Sequence, residues 1–328
     1  MPTMRDVAQL AQVDISTVSR VLSDDPAQRV SVETRQRIID VVDELRYRPN
    51  AAARTLRTAR SGTVGLVIPD ISPVYAEIVK GAQEEAAHLG LAILLASDGV
   101  GTTTDYRALY EEGRIDGLIV ATARRRPFGL KQLQSAGPVV LVNRRTSANV
   151  PYVVVDDAGG ARMATRYLLD AGHRAIVYLD GDPDADTSHR RRRGFESEIQ
   201  KFSGAVPIVE PSGFDERSGY EAGVRLLRVK PEFTAVLAAS SRAAIGFLAA
   251  ARAADVAVPD EVSVIGIHDT TAAEFAWPPL TVVRLPLQDM GKNAVQVLSL
   301  LLTGEPVASL TIGEPIDLIE RESVRTLN

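Results

Sequence analysis

Three side chains near the start of the chain have the types and spacing suited to reading the edges of base pairs. Ile15, Ser16 and Arg20 fall on one side of a short helix if residues 15–22 are helical. Arginine can donate two hydrogen bonds to guanine, and an aliphatic side chain can contact the methyl group of thymine. The outward face of such a helix, formed by Ile15, Ser16, Ser19 and Arg20, is suited to contact base edges, and a face of ordinary surface residues is the alternative.

The flanking residues predict the small helical unit that would hold this face. Thr3 is a suitable N-cap for a first helix, with Asp6 at its third position, and Asp14 caps the second helix. A third helix begins after Ser31 and supplies apolar residues at helical spacing: Ile38, Val41, Val42 and Leu45. This arrangement is typical of a helix-turn-helix unit. For the helix pair alone, a helical cap with ordinary surface residues is the alternative.

The segment that follows favours DNA as the partner. Residues 50–62 carry arginines at positions 54, 57 and 60, which a helix would place along one side, with Leu56 among them. A helix of about ten residues is too short to be stable alone in water. We therefore expect this segment to become ordered only against DNA phosphates and a second copy of the chain. The first 60 residues carry ten arginines and eight acidic residues, although the whole chain has a net charge of −5.

These motifs resemble those of the LacI/GalR family of transcription regulators, and the resemblance extends over essentially the whole chain. The first motif reads DVAxxAxVxxxTVSRVL from Asp6, and the second reads PNxxARxLRT from Pro49. The resemblance implies base contacts by Ile15, Ser16 and Arg20, with Leu56 inserted into the minor groove at the operator centre. It also implies phosphate contacts by Thr3, Thr17, Ser19, Ser31, Thr34, Tyr47, Asn50, Arg54 and Arg57.

Two departures from the family pattern lie in the same region. Asp14 stands where the family usually has serine, so a negative charge lies close to the phosphates and predicts a small loss of affinity. Residues 24–28 lengthen the loop before the third helix, which puts the family's contacts from that loop in doubt.

Beyond residue 62, apolar runs alternate with helical stretches, as in a parallel α/β sheet. A first set of strands is predicted at 63–68, 91–96, 117–121 and 138–142, with helices near 74–89, 104–112 and 130–136. A second set is predicted at 152–155, 175–179, 205–209, 235–239 and 262–267, with helices near 158–171, 190–201, 216–228 and 242–253. The fold class is therefore α/β: an N-terminal three-helix helix-turn-helix headpiece and a two-lobed core of doubly wound parallel sheets. The family shares this core with periplasmic binding proteins.

The resemblance also gives domain boundaries. It implies a headpiece at 1–49, a hinge at 50–61, and a core for effector binding and dimerisation at 62–328. Within the core, one lobe is expected at about 62–156 plus 286–311, and the other at about 157–285 plus 312–328. Two such lobes leave a cleft at the carboxyl ends of their strands, where a small molecule can bind.

The family's effector cleft is altered in this sequence. The resemblance implies that seven residues contact the effector: Tyr75, Asn143, Arg191, Phe214, Ser240, Ser241 and His268. His268 and Asn143 stand where the family has aspartates, and the two serines replace an Asn-Asp pair. Arginine and a protonatable histidine favour anions, whereas carboxylates repel them. We therefore expect an anionic effector, such as a phosphorylated sugar or a carboxylate; a neutral ligand held by other hydrogen bonds is the alternative.

Composition points away from several other functions. The chain has no cysteine, and its four histidines show no metal-ligand spacing, so we expect neither a metal nor a cofactor. No nucleophile elbow or pair of carboxylates accompanies His268, so an enzyme is not expected. The arginine runs 124–126 and 190–193 are interpreted as solvated residues, with a role in the charge of the cleft as the alternative.

The expected partners follow from the geometry of such a headpiece. One headpiece reaches half a site, which predicts a homodimer on a pseudo-palindromic double-stranded DNA operator. No apolar run is long enough to span a membrane and no signal peptide is recognised, so a cytoplasmic location is expected. An effector would shift the lobes and change whether the hinge segments fold on DNA, which describes a transcription regulator and most simply a repressor. A solute-binding protein with the same core is the alternative, but it would lack the headpiece.

Overall fold

The computed structural model describes residues 2–22, 30–47, 60–97, 106–121, 137–146, 148–228 and 232–327. The chain divides into two compact units, one formed by residues 1–61 and the other by residues 62–328. Each unit has a hydrophobic core of its own.

The first unit contains the three predicted helices. They are α1 (Met4–Leu10), α2 (Ile15–Leu22) and α3 (Val32–Glu44). Val7, Val18 and Ile38, one from each helix, are fully buried at the centre of the unit. The apolar spacing of the third helix predicts its buried residues Ile38 and Val41 correctly. In the first helix Val7 and Ala8 are buried as their spacing predicts, but Leu10, on the same predicted face, is 50% exposed.

The second unit contains two sheets of six strands. The first sheet is formed by β1 (Thr63–Ile68), β2 (Ala92–Ser97), β3 (Gly117–Ala121), β4 (Val139–Val142), β5 (Tyr152–Val155) and β11 (Leu310–Ile312). The strand order is β11-β5-β4-β3-β1-β2, and all neighbouring strands are parallel. The accompanying helices are α4 (Pro73–His88), α5 (Tyr106–Glu111) and α11 (Leu287–Thr303).

The second sheet repeats this plan. Its strands are β6 (Ala175–Leu179), β7 (Val206–Glu210), β8 (Ala235–Ala238), β9 (Ser263–Ile267), β10 (Thr281–Arg284) and β12 (Asp317–Ile319). The order is β12-β10-β9-β8-β6-β7, with β12 the antiparallel edge strand. The helices are α6 (Asp157–Asp170), α7 (Asp186–Ile199), α8 (Glu216–Leu227), α9 (Ser241–Ala253) and α10 (Thr271–Glu274). The two-lobed α/β core predicted from the sequence is confirmed.

Three details differ from the sequence analysis or go beyond it. The strand at 152–155 was grouped with the second set, but it pairs with β4 in the first sheet, because alternation along the chain does not specify which sheet a strand joins. Strand β10 and helix α11 were not predicted. The helix predicted near 130–136 lies outside the described residues.

Close glycine contacts hold α11 against the first lobe. A Cβ atom on Gly81 of α4 would clash with the backbone of Gln288, and one on Gly291 would clash with the carbonyl of Ile78. The two helices can approach this closely only because neither glycine carries a side chain. The chain thus returns from β10, in the second lobe, to pack on the first.

Candidate DNA-binding face and ligand cleft

The exposed face of α2 carries the three side chains predicted to contact bases. Ile15 is 43% exposed, and Ser16 and Arg20 are exposed on the same helix. Val18 and Val21 are buried on its other side. The helix therefore packs with one face and presents the other to a partner. Contact with bases remains a prediction.

Caps and a hydrogen bond between helices fix the elements that pack behind α2. Thr3 and Asp6 form a capping box at the start of α1, and Ser31 caps α3. Arg37 of α3 donates from Nε to the carbonyl oxygen of Ala11 at 3.0 Å, just before the turn that leads into α2. These contacts set the position of α2 within the unit.

The predicted phosphate contacts occupy different environments. Thr3 and Ser31 are N-caps, and helix N-termini favour anions because their N–H groups are unpaired within the helix. Partly exposed in the same unit are Thr17, Ser19 and Thr34. Tyr47 is 8% exposed and packs in the core of the headpiece. Outside the described residues lie Asn50, Arg54, Leu56 and Arg57.

A cavity of about 180 Å³ lies between the two lobes of the second unit. The wall of the cavity includes residues that follow strands of both sheets. Asn143 comes directly after β4, and His268 comes directly after β9. All seven predicted effector contacts line this cavity: Tyr75, Asn143, Arg191, Phe214, Ser240, Ser241 and His268. Parallel sheets bind ligands at the carboxyl ends of their strands. The topology thus brings the seven residues together, and their role in binding remains a prediction.

Two carboxylates line the same cavity although the sequence analysis did not single them out. Asp70 comes shortly after β1 and Asp182 shortly after β6, so both lie at the carboxyl ends of strands. In each, Oδ1 accepts a backbone N–H, from Ser72 and Asp184 respectively. Their position after a predicted strand was the signal that could have identified them. The cavity therefore has two carboxylates in its wall, at positions other than those that the resemblance implies.

A buried charge network lies behind the cavity wall. Asp157 is fully buried; its Oδ2 accepts from Nη2 of Arg190 at 2.5 Å, and its Oδ1 from Nε of Arg191 at 2.7 Å. Burial raises the pKa of Asp157, but Arg191 and Arg190 lower it more, so the pKa falls below its usual value. The interpretation of the 190–193 run as solvated is wrong for Arg190 and Arg191, because Asp157 pairs with both in the interior.

Arg191 also contacts the strand ends around the cavity. Its Nη1 donates to the carbonyl oxygen of Ala239 at 2.6 Å, and its Nη2 lies 2.6 Å from Nε2 of His268. Burial, the larger cause, and the positive charge of Arg191 together lower the pKa of His268 to about 3. The expectation of a protonatable histidine is therefore wrong, since His268 is neutral at physiological pH. Any positive charge on this wall comes from arginine.

Asp186 extends the charge network to the other lobe. It pairs with Arg190, and its Oδ2 accepts the backbone N–H of Arg145 at 2.8 Å. Arg144 is 3% exposed; burial lowers the pKa of its guanidinium, and Asp186 raises it in part. Since Arg144 and Arg145 follow β4, the cavity wall and the contact between the lobes share one network.

Within the described ranges, no group of three or more histidine, aspartate or glutamate residues is placed to hold a metal ion. The helices in that part of the chain are all too short or too polar to cross a bilayer. On the cavity wall, Arg191 donates to Asp157 and to the carbonyl oxygen of Ala239, and Ser240 donates to the carbonyl oxygen of Phe214.

Comparison with known proteins covers both units. Residues 3–50 match the family of bacterial regulatory proteins named after lacI, and residues 165–324 match a periplasmic binding protein-like domain. The transcriptional regulator DegA of Bacillus subtilis is 33% identical to this chain, and the alignment covers 99% of both proteins. The transcriptional regulator GalR of Escherichia coli is 31% identical, over 99% of this chain and 96% of that protein.

Solved structures share the architecture. A complex of the transcriptional regulator CelR with cellobiose is 31% identical, with a TM-score of 0.73, over 98% of this chain and 100% of that one. The lac repressor dimer bound to operator and the anti-inducer ONPF has a TM-score of 0.81 at 23% identity, over 99% of each chain, and supports the fold alone. The full-length relatives are transcriptional regulators rather than enzymes. The chain therefore belongs to the LacI family and is a DNA-binding transcriptional regulator.

Proposed function

We propose that the chain is a cytoplasmic repressor that binds a specific operator as a homodimer and is controlled by a small molecule in the cleft. The observation that carries this proposal is the exposure of Ile15, Ser16 and Arg20 on a helix whose other face is buried. Arg20 would bind guanine through two hydrogen bonds, and Ile15 would contact a thymine methyl group. The proposed domains are the headpiece at 1–49, the hinge at 50–61 and the core at 62–328.

Contacts with the DNA backbone would orient this face on the operator. We assign them to Thr3, Thr17, Ser19, Ser31, Thr34, Tyr47, Asn50, Arg54 and Arg57. Leu56 would wedge into the minor groove beside its counterpart from the second copy, which bends the duplex. The phosphate contacts supply affinity that depends on salt, whereas the base contacts and the wedge select the sequence.

A second copy of the chain would pack on the second lobe. Phe275 and Trp277 are each 78% exposed, between α10 and β10. Aromatic side chains are enriched in protein interfaces, and exposed apolar patches mark such surfaces. We expect Trp277→Glu to convert the dimer to a monomer in analytical ultracentrifugation. Val206→Glu, at a 54% exposed residue of β7 on the opposite edge of the same sheet from β10, is the matched control and should leave the dimer intact.

The cleft would hold a hydroxyl-rich effector of the sugar class, with an acidic group as the preferred form. Support comes from the cavity between the lobes, from the carboxylates of Asp70 and Asp182 at its wall, and from the cellobiose bound by the related CelR. Ligand binding would shift the lobes and change the spacing of the two hinge segments. Coupling between effector and operator in such systems is about 1–3 kcal/mol per site.

Selection of bound duplexes from a random pool by the full-length protein tests this proposal. The expected result is a pseudo-palindromic sequence. The logarithm of its binding constant should fall linearly with the logarithm of the salt concentration, with a slope of about −0.9 for each phosphate contacted. Repeating the selection with sugars and sugar acids should reveal an effector that changes operator affinity. The absence of any enriched sequence under all these conditions would contradict the proposal.

The hinge assignment has its own variant. Leu56→Ala should weaken binding to the selected operator while leaving the affinity of the core for its ligand unchanged. Leu89→Ala is a matched control, because Leu89 is an exposed leucine of the core, after α4. Unchanged operator affinity in Leu56→Ala would show that the hinge assignment is wrong.

A further inference from the structure

His268 borders two cavities of the core. It lines the cavity of about 180 Å³ between the lobes and also a second cavity of about 270 Å³. The second cavity is also bounded by Glu77, Asp269 and Arg284. Within the described residues, His268 alone lines both cavities. Whether each ring nitrogen of His268 donates or accepts a hydrogen bond therefore determines which ligand groups can bind beside it.

The contact with Arg191 fixes which nitrogen of His268 carries the proton. A guanidinium group has only donors, so the ring nitrogen 2.6 Å from Nη2 of Arg191 must act as an acceptor. That nitrogen is Nε2. In a neutral imidazole one nitrogen accepts and the other donates, so the proton of His268 lies on Nδ1.

The Nδ1–H group of His268 has no partner among the described residues. It is shielded from solvent and makes no hydrogen bond there. A buried donor without an acceptor is unfavourable, and such groups in native structures call for an explanation. An acceptor oxygen on a ligand would satisfy this one. Because Nδ1 is shielded, binding must be accompanied by a small shift of the wall around the ring.

Charged groups of both signs surround the cleft. Behind the wall that carries His268, Arg190 and Arg191 pair with Asp157, and Arg190 also pairs with Asp186. The cavity wall also carries the carboxylates of Asp70 and Asp182 and the guanidinium of Arg242, which pairs with Glu216. Carboxylates accept hydrogen bonds from hydroxyl groups and repel anions. The cleft is therefore polar, with donors at Arg191, Arg242 and His268 and acceptors at Asp70 and Asp182.

We propose that His268 selects the effector by donating its Nδ1–H to an acid oxygen, a carboxylate or a phosphate, in the cleft. The hydroxyl groups of the same ligand then face Asp70 and Asp182. This inference rests on the proposed function of the cleft and adds the direction in which the ligand binds. An aspartate at position 268 would have the opposite effect, since it accepts hydrogen bonds and repels an acid group.

The proton position can be measured directly by long-range ¹H–¹⁵N correlation on the full-length protein labelled with ¹⁵N-histidine. We expect His268 to show a bare Nε2 and a protonated Nδ1 from about pH 5 to about pH 8. His173 is the internal reference for the other tautomer, with its proton on Nε2. This nitrogen lies 3.1 Å from the carbonyl oxygen of Arg325 and must donate to it. His268→Gln assigns the signals. A proton on Nε2 of His268, or a charged ring, would overturn the proposal.

Ligand preference is measured by calorimetry on the full-length dimer. The probes are D-glucose, D-gluconate and D-glucose 6-phosphate, with the corresponding galactose series; comparison of gluconate with the phosphate distinguishes the two acid groups. At least one acidic probe should bind about tenfold more tightly than its neutral parent. His268→Asp should abolish or reverse that preference, whereas His189→Gln, outside the cleft wall, should keep it. Tighter binding of the neutral sugars, or no binding of any acidic probe, would overturn the inference. Operator binding measured on the same samples separates this failure from a failure of the proposed function.

Discussion

The recognition face of α2 and the inner wall of the cleft use their polar side chains in opposite ways. On α2, Ser16 and Arg20 are exposed, and the fold depends on the apolar residues behind them. In the cleft, Arg191 and His268 are buried and bonded to each other and to their surroundings. A substitution on the first surface should therefore change binding with little effect on stability. A substitution in the second should change both.

The largest effect is expected from Asp157→Asn. The variant leaves Arg191 in the interior without a carboxylate partner and Arg190 with Asp186 alone. Breaking a buried ion pair in this way costs about 3–5 kcal/mol. Urea unfolding of the full-length protein should show this loss in the core. Glu216→Gln removes the partly exposed pair with Arg242 and should cost less than about 1 kcal/mol. Equal losses in the two variants would contradict the contrast between the buried and exposed regions.

Arg20→Ala tests the exposed region. Loss of a two-hydrogen-bond contact with guanine should weaken binding to the selected operator by about 1–3 kcal/mol. The free energy of unfolding should change by less than about 0.5 kcal/mol, because the side chain is exposed. Fluorescence anisotropy with operator and scrambled duplexes, together with urea unfolding, measures both quantities. Equal weakening on both duplexes would mean that Arg20 contacts phosphate rather than a base.

The low pKa of His268 predicts a pH dependence of core stability. In the unfolded chain the imidazole takes up a proton below about pH 6.5, whereas in the folded chain its pKa is about 3. The unfolded state therefore binds more protons between these values, so stability falls as the pH falls. The slope contributed by this residue approaches about 1.4 kcal/mol per pH unit below pH 6.

His268→Gln should reduce this slope, as measured by urea unfolding between about pH 5 and about pH 7. Part of the slope should remain, because burial also lowers the pKa of His173. An unchanged slope in the variant would mean that His268 is not buried in its neutral form.

The smallest effect is expected from Thr3→Ala in the headpiece. The variant removes the capping box with Asp6, and loss of an N-cap costs about 1 kcal/mol. The headpiece should lose stability while the unfolding of the core stays unchanged. Thr3→Ser keeps the hydroxyl group and is the matched control. An equal loss with serine would show that the cap hydrogen bonds are not the cause.

The headpiece could be predicted from the sequence because its signals are local. Thr3 and Asp6 stand three residues apart, and the buried side chains of α2 and α3 recur at helical spacing. Each signal therefore falls within one or two turns of the chain. The same holds for the strands of the core, whose apolar runs mark them individually.

The charge network of the cleft could not be predicted because its members are far apart in the chain. Asp157 and Arg191 are 34 residues apart, and Arg191 and His268 are 77 residues apart. A run of arginines looks solvated until the fold shows the carboxylate that opposes it. The resemblance supplied the seven cleft positions, but the protonation of His268 depends on burial, which the sequence does not show.

The affinity of the full-length protein for its selected operator, relative to a scrambled duplex at the same salt concentration, tests the central claim most directly. The account predicts a ratio of at least about a thousand, which specific DNA-binding proteins reach. It also predicts that an effector in the cleft changes this ratio. Equal affinity for the two duplexes, with and without effector, would contradict it.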